Sequence, residues 1–328
     1  MRLLVTGGAG FIGTNFVKQV LETAPNAISA VTVLDKLTYA GVESNLDNFK
    51  TYANFNFVQG DICDVELVNQ LVDSVDAVIN FAAESHVDRS IANSGDFVST
   101  NVSGVQVLLD AIRLVGKGQR FLQVSTDEVY GSIDEGSWDE FSPLLPNSPY
   151  SATKAGGELI ARAYHQTHNI DVVVTRCSNN FGPYQFPEKV IPLFITNLIL
   201  GKKIPIYGDG GNVRDWLHVD DHCRGLYKVL LNGNSGEVYN IGGGQELSNL
   251  QLTYQILELM NASDSNLEFV EDRKGHDRRY SVDWSKIEKD LGYQPKINFQ
   301  DGLKATINWY LQNDAWWKAL KDTPRTQQ

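Results

Sequence analysis

The chain has 328 residues, with 28 Lys and Arg against 40 Asp and Glu, a formal net charge of −12. Hydrophobic residues make up 42% and charged residues 21%, so a sizeable core can form without staples, and disordered, collagen-like and disulfide-scaffold architectures are excluded. The acidic balance argues against nucleic acid as the main partner, and no run approaches the ~18 apolar residues of a membrane span, so neither partner is expected.

Short apolar runs predict strands over Leu3–Thr6, Ala30–Asp35, Phe55–Gln59, Ala77–Phe81, Phe121–Ser125 and Val172–Arg176. Helical spacing fills the gaps near Gly10–Glu22, Val65–Val72, Phe97–Leu114 and Pro149–Thr167. Strands alternating with helices imply βαβ crossovers and an α/β fold with a doubly wound parallel sheet. After about residue 178 the regularity weakens. Strands at Ile204–Tyr207 and Glu237–Ile241 mix with helices near Pro187–Leu200, Asp220–Leu231, Asn249–Met260 and Gln300–Leu311. The expected division is a first domain over residues 1–178, to which 220–241 returns, and a smaller C-terminal substrate-binding lobe over 179–328. Cys63, Cys177 and Cys223 are odd in number and scattered. That fits a reducing cytoplasm and shows no metal-ligand spacing. The apolar run at the N-terminus, Leu3-Leu4-Val5, is too short for a signal segment.

Gly7, Gly10 and Gly13 form GxxGxxG between the first strand and the first helix. Glycines there let a pyrophosphate approach backbone N–H groups at a helix N-terminus, the mark of a Rossmann dinucleotide site. Asp35 ends the second strand 22 residues past Gly13, near the ~20 expected of a carboxylate that holds the adenosine ribose hydroxyls. Such a carboxylate repels a 2′-phosphate, so NAD is favoured over NADP. Asp61 and Ile62 end the third strand, where adenine would lie, and Ala82 and Ala83 follow the fourth. Phe11, Ile12, Lys36, Leu37, Thr38 and Thr100 complete the expected cofactor surroundings.

Tyr150 and Lys154 form a YxxxK pair that shares one helix face. A cationic Lys lowers the phenol pKa, and the tyrosinate can then take a carbinol proton. The pair lies 24 residues after Thr126, at the end of another predicted strand.

These residues resemble the extended short-chain dehydrogenase/reductase superfamily over nearly the whole chain. Thr126-Asp127-Glu128 narrows the resemblance to its dTDP-glucose 4,6-dehydratases. So do Ala82–Ser90, Asn179-Asn180 and Gly275–Tyr280. The resemblance implies C4 oxidation of a nucleotide-linked glucose, loss of water across C5 and C6, and hydride return to C6, with NAD bound throughout. It implies Thr126 as an aid to Tyr150, Asp127 as the acid at C6 and Glu128 as the base at C5. Adjacent carboxylates can take different pKa values when their surroundings differ.

A sugar nucleotide needs cations and amide donors around its diphosphate. Arg214 is the first candidate, and the resemblance adds Lys189 and His276. Asn180 follows the sixth strand, and Asn179, Ser85, His86 and Asn249 are further candidates, with Pro205 and Tyr207 flanking the base. Lys274 stands where many relatives have Pro, and only 19 residues separate Gly131 from Tyr150, a shorter loop than in some relatives. The alternative enzymes are a 4-epimerase, which lacks the paired carboxylates, and a decarboxylase, which usually has Ser at the Asp127 position. An idle dinucleotide-binding regulator would have no need of Tyr150, Lys154, Asp127 and Glu128. Thymine differs from uracil by one methyl, worth ~1–3 kcal/mol in a pocket, so dTDP follows from the resemblance alone. Relatives pair through two helices, and Val98, Val102, Val105, Leu109 and Ile112 are the apolar residues expected to serve a homodimer.

Overall fold

The computed structural model describes residues 1–24, 26–272 and 275–322, so Lys274 lies outside the described residues. The first half carries strands β1 (Arg2–Thr6), β2 (Ala30–Asp35), β3 (Phe55–Gln59), β4 (Ala77–Asn80), β5 (Arg120–Thr126) and β6 (Val172–Cys177). The second carries β7 (Asn179–Phe181), β8 (Ile204–Tyr207), β9 (Val213–His218), β10 (Val238–Ile241), β11 (Glu246–Ser248) and β12 (Leu267–Val270). A seven-stranded sheet runs in the order β10-β6-β5-β4-β1-β2-β3, and every pairing in it is parallel. The chain winds one way from β1 to β3 and the other way from β4 onward. The reversal at β1 and β4 opens a crevice at the carboxyl ends of the strands.

Alternation along β1 sends Leu3 and Val5 into one core and Leu4 into the other. On the first face helix Phe11–Thr23 contributes Phe16, Val17 and Val20, and helix Val219–Asn232 contributes Leu226 and Val229. On the second, helices Val65–Asp73 and Val105–Val115 cover Leu34 and Phe121. A third core, around Phe181, Phe194, Trp216, Leu303 and Trp317, fills the second lobe beneath a three-stranded sheet β11-β9-β7.

The continuous helix expected over Phe97–Leu114 is instead three segments: Gly95–Val98, a π-turn at Ser99–Gly104, and Val105–Val115. The wide turn accommodates a buried amide. Asn101 Nδ2 donates to the Glu84 carbonyl and to Thr153 Oγ1, both at 3.0 Å, while its Oδ1 accepts the Glu84 N–H at 2.9 Å. Thr100 thereby faces the crevice. Of the five apolar residues assigned above to a partner, Val105, Leu109 and Ile112 are buried against this chain's own sheet. Val98 is exposed and Val102 half-buried. Among the described residues no helix is long and apolar enough to cross a membrane.

Candidate active site

The crevice is a cleft of about 310 Å³ that runs from the glycine loop to the ends of β5 and β6. Gly7 takes φ +70°, and a side chain there would meet the Ala82 backbone within 2.6 Å. A side chain at Gly13 would collide with the Gly7 carbonyl. Gly10 differs, because its nearest neighbour would be 3.4 Å away, so the protein itself leaves room on that side. Asp35 is buried at the end of β2, and burial raises its pKa. Its two oxygens accept the Ala9 N–H at 2.9 Å and the Leu37 N–H at 2.8 Å, and each keeps a lone pair for a further donor. Lys36 pairs with Asp61 at 2.7 Å. Burial works to raise the Asp61 pKa, but Lys36 and the Cys63 amide together bring it below the ordinary value.

Of the expected cofactor residues, Gly7, Gly10, Phe11, Ile12, Gly13, Asp35, Lys36, Thr38, Asp61, Ile62, Ala82, Ala83, Thr100, Tyr150, Lys154 and Asn180 line this cleft. Leu37 does not. Its backbone, at φ +55°, turns to bond Asp35, and its side chain packs on the first core. The cleft also holds buried oxygens without hydrogen-bond partners, Ser125 Oγ, Asn179 Oδ1, Asn180 Oδ1 and Gln185 Oε1. Such atoms are costly unless a ligand or water meets them, so the donor set and the glycine cradle fit a dinucleotide.

Helix Pro149–His168 is started by Ser148, which accepts the Ser151 N–H at 3.1 Å, and by Pro149 in its first turn. Tyr150 and Lys154 lie on its inner face, both buried. Lys154 Nζ donates to the Val124 carbonyl at 2.7 Å, and burial pulls its pKa down to about 8. The Tyr150 phenol, expected from the sequence to be lowered by Lys154, is raised well above its ordinary value here. Burial is the main cause and the Glu128 charge adds to it, while a Thr126 hydrogen bond opposes them. The ammonium is directed at a carbonyl and does not offset the burial.

β5 ends at Thr126, whose Oγ1 accepts the Glu128 N–H at 3.3 Å and starts a 3₁₀ turn over Asp127–Tyr130. Asp127 is buried, and its Oδ2 has no hydrogen-bond partner. Burial, then Glu128 and Asp215, hold its pKa well above the usual carboxylate range, against the pull of Arg214. Burial and the two neighbouring carboxylates each favour the protonated carboxyl over the carboxylate. Glu128 is half-buried and stands where the cleft meets a second one of about 280 Å³. Ser85, Asn179 and Lys189 line both clefts, and His86, Pro205, Tyr207, Arg214, Asn249 and His276 line the second. Thr126 lines the first.

In the second cleft Lys189 Nζ donates to the Ser85 carbonyl at 3.0 Å. Arg214 is buried in β9, donates to the Asp277 carbonyl at 3.0 Å, and lies 4.3 Å over the Tyr280 ring. His276 Nδ1 bonds Asp272 at 2.7 Å and its ring meets Tyr207 edge-on. The second cleft thus sets Lys189 and Arg214 among the carboxylates of Asp88, Glu128, Glu188 and Asp277 and is bounded by Pro205 and Tyr207, so the two cations are the groups there that can meet a diphosphate joined to a flat base.

Comparison with known proteins bears on this arrangement. Residues 4–306 match the family model described as GDP-mannose 4,6 dehydratase. A dTDP-glucose 4,6-dehydratase of Actinoplanes sp. is 58% identical over 97% of this chain and 100% of its own. DesIV of Streptomyces venezuelae, a dTDP-glucose 4,6-dehydratase solved with NAD and dTDP, superposes with TM-score 0.96 at 56% identity, covering 98% of this chain and 100% of that one. The dTDP-glucose 4,6-dehydratase of Bacillus anthracis, solved with NAD, gives TM-score 0.91 at 46% identity, over 98% and 99% of the two chains. The chain belongs to the dTDP-glucose 4,6-dehydratase family.

Within this family member the sequence reading left out several residues of the joined clefts. Glu188 lines both, and its Oε1 is buried without a partner. Its other oxygen lies 3.6 Å from both His86 Nε2 and Arg89 Nη2. Tyr280 lines the second cleft and bonds Asp277 through its hydroxyl. Glu188 precedes Lys189, which was singled out from sequence, and Tyr280 ends the Gly275–Tyr280 segment; only their position shows the side they face. Tyr39 and Gln185, which also line the first cleft, sit in loops with no spacing to read.

Proposed function

We propose that the protein converts dTDP-glucose to dTDP-4-keto-6-deoxyglucose and water, with NAD retained and restored in every cycle. The observation that carries the reading is the carboxyl pair at the end of β5: Asp127 is buried, with its pKa pushed up by that burial, and Glu128 stands at the junction of the two clefts. NAD, when bound, accepts hydride from C4 and returns it to C6. The N–H groups of the Gly7–Gly13 loop receive its pyrophosphate, and Asp35 receives ribose hydroxyls. Tyr150, its tyrosinate favoured by the positive charge of a bound nicotinamide against the burial that raises its pKa, removes the C4 hydroxyl proton, with Thr126 beside it. Glu128 takes the C5 proton, acidified by the neighbouring ketone. Asp127 gives its proton to the C6 hydroxyl, which leaves as water, and as hydride returns to C6 the proton held by Glu128 goes back to C5. Arg214, Lys189 and His276 meet the diphosphate, with Asn249, Pro205 and Tyr207 around the base.

The reading includes a cytoplasmic homodimer. Exposed Val98 and Leu159 lie on two neighbouring helices, and light scattering at micromolar concentration tests it: a dimer mass is expected, and a stable monomer would overturn the claim. The activity is tested by incubating the protein with dTDP-, UDP- and GDP-glucose and following products by mass and NMR. A 4-keto-6-deoxy product from dTDP-glucose is expected. An epimerised but intact hexose, or no turnover by NAD-loaded protein, would overturn the reading.

A further inference from the structure

The C-terminal helix Asp314–Asp322 makes contacts that the proposed chemistry leaves unused. It is rooted in the second lobe. Trp317 is fully buried, and its indole N–H donates to the Tyr310 carbonyl at 2.8 Å. The Tyr310 hydroxyl donates to the Gln185 carbonyl, and Trp316 meets Trp309 edge-on at 5.1 Å. From this base the helix reaches the loop after β2. Trp316 Nε1 donates to Asn45 Oδ1 at 2.8 Å, and Asn45 Nδ2 donates to the Ala9 carbonyl at 3.1 Å. Leu320 closes on Val42 and Phe186.

The chemistry makes this relay directional. An indole N–H can only donate, so it fixes which end of the Asn45 amide faces it and turns the amide nitrogen toward Ala9. The Ala9 carbonyl also accepts the Val42 N–H at 3.1 Å, and the Ala9 N–H is held by Asp35 at 2.9 Å. Ala9 sits between Gly8 and Gly10, so the relay ends inside the phosphate loop. Leu320 meanwhile joins two walls of the same cleft. Thr38–Gly41 form one, Phe186 belongs to the other, and Tyr39 touches Phe186 edge-on at 5.8 Å.

We propose that helix Asp314–Asp322 latches the dinucleotide cleft, with Trp316 acting through Asn45 as a positioning residue for the phosphate loop and Leu320 holding the walls together against cofactor release. This rests on the reading of the cleft as an NAD site. A cycle that begins by oxidising the sugar and ends by reducing it requires the same cofactor molecule throughout. Release halfway strands a ketone, so slow dissociation has a direct use.

The test follows release from NAD-loaded protein. Protein carrying radiolabelled NAD is diluted into excess unlabelled NAD and filtered at intervals. Trp316→Phe keeps a ring and removes the donor, and should release label about fivefold faster, the worth of about one neutral hydrogen bond. Leu320→Ala should release it about tenfold faster or more. At saturating NAD both variants should keep wild-type kcat and dTDP-glucose half-saturation, with only the NAD half-saturation raised. A merely structural role would lower kcat or the folded fraction instead, and that result overturns the latch. Two folded variants with wild-type release rates would overturn it too. Wild-type protein that takes up no label would overturn the underlying reading of the cleft, a separate failure.

Discussion

Asp127→Asn separates the acid from the fold. Asparagine matches the aspartate in shape and has no proton to give to the C6 hydroxyl. Removal of one positioned acid costs at least ~10²-fold, about 2.7 kcal/mol of barrier. Stability should move the other way. Folding raises the Asp127 pKa through burial, Glu128 and Asp215. Above about pH 4 the unfolded chain has released a proton that the folded chain keeps. Stability from this group therefore falls as pH rises from about 4 toward the folded value. Asparagine removes that dependence. Its amide also replaces one unpartnered buried polar atom, Asp127 Oδ2, with another, so packing gives little reason for loss. Thermal unfolding at pH 8 should show a Tm equal to or above wild type, and at pH 3.5 that advantage should vanish. Turnover of dTDP-glucose should drop at least a hundredfold, while C5 hydrogen still exchanges in D₂O. Turnover within tenfold of wild type would refute Asp127 as the acid, and a Tm at pH 8 several degrees below wild type would refute the upward shift of its pKa.

Glu128→Gln should allow oxidation at C4 but stop deuterium entry at C5, with NADH absorbance building up in stopped flow. Burial holds the Lys154 pKa near about 8, so the cation is present below that value and lost above it. The rate of C4 oxidation, followed as NADH formation across pH, should decline above about pH 8. Asp35→Ala removes the acceptor of the Ala9 and Leu37 N–H groups. NAD retention should weaken at least about tenfold, and the preference over NADP should narrow, as measured by equilibrium binding of both.

The first half of the chain was legible because its signals are local. A parallel strand covered on both faces must be apolar throughout, so β1, β2, β5 and β6 stand out as runs, and glycines mark the turn that follows β1. In the second half the strands expected at Ile204–Tyr207 and Glu237–Ile241 are β8 and β10, while the others are hidden. β9 reads Val-Arg-Asp-Trp-Leu-His, with Arg214 and Asp215 both buried. Their polarity suggests a surface loop, yet Asp215 accepts Ser178 Oγ and the Gly243 and Gln245 N–H groups. These partners lie 28 to 37 residues away along the chain. β7 and β11 have three residues each, too few for a period. The π-turn at Ser99–Gly104 was missed for a similar reason, since Asn101 answers to Glu84 and Thr153, which no helical spacing encodes.

The site residues show the same contrast. Tyr150 and Lys154 were readable as a pair because one helix carries both. Asp127 and Glu128 were readable as two carboxylates, but their division of labour comes from the turn beneath them. A strand would send neighbours to opposite faces of the sheet. Here the strand stops at Thr126, and the 3₁₀ turn leaves Asp127 buried toward Arg214 and Asp215 while Glu128 stays at the cleft junction. The turn is fixed from behind. The Tyr130 hydroxyl donates to Asn240 Oδ1 at 2.8 Å and accepts from Arg176 at 2.7 Å, its ring stacks on Trp138, and Arg176 is paired with buried Glu158. Gly131, at φ +79°, ends the turn with no room for a side chain against the Leu145 carbonyl. In the proposed mechanism two residues of one chemical type thus take the parts of acid and base because a rigid turn assigns one to the interior and the other to the cleft junction.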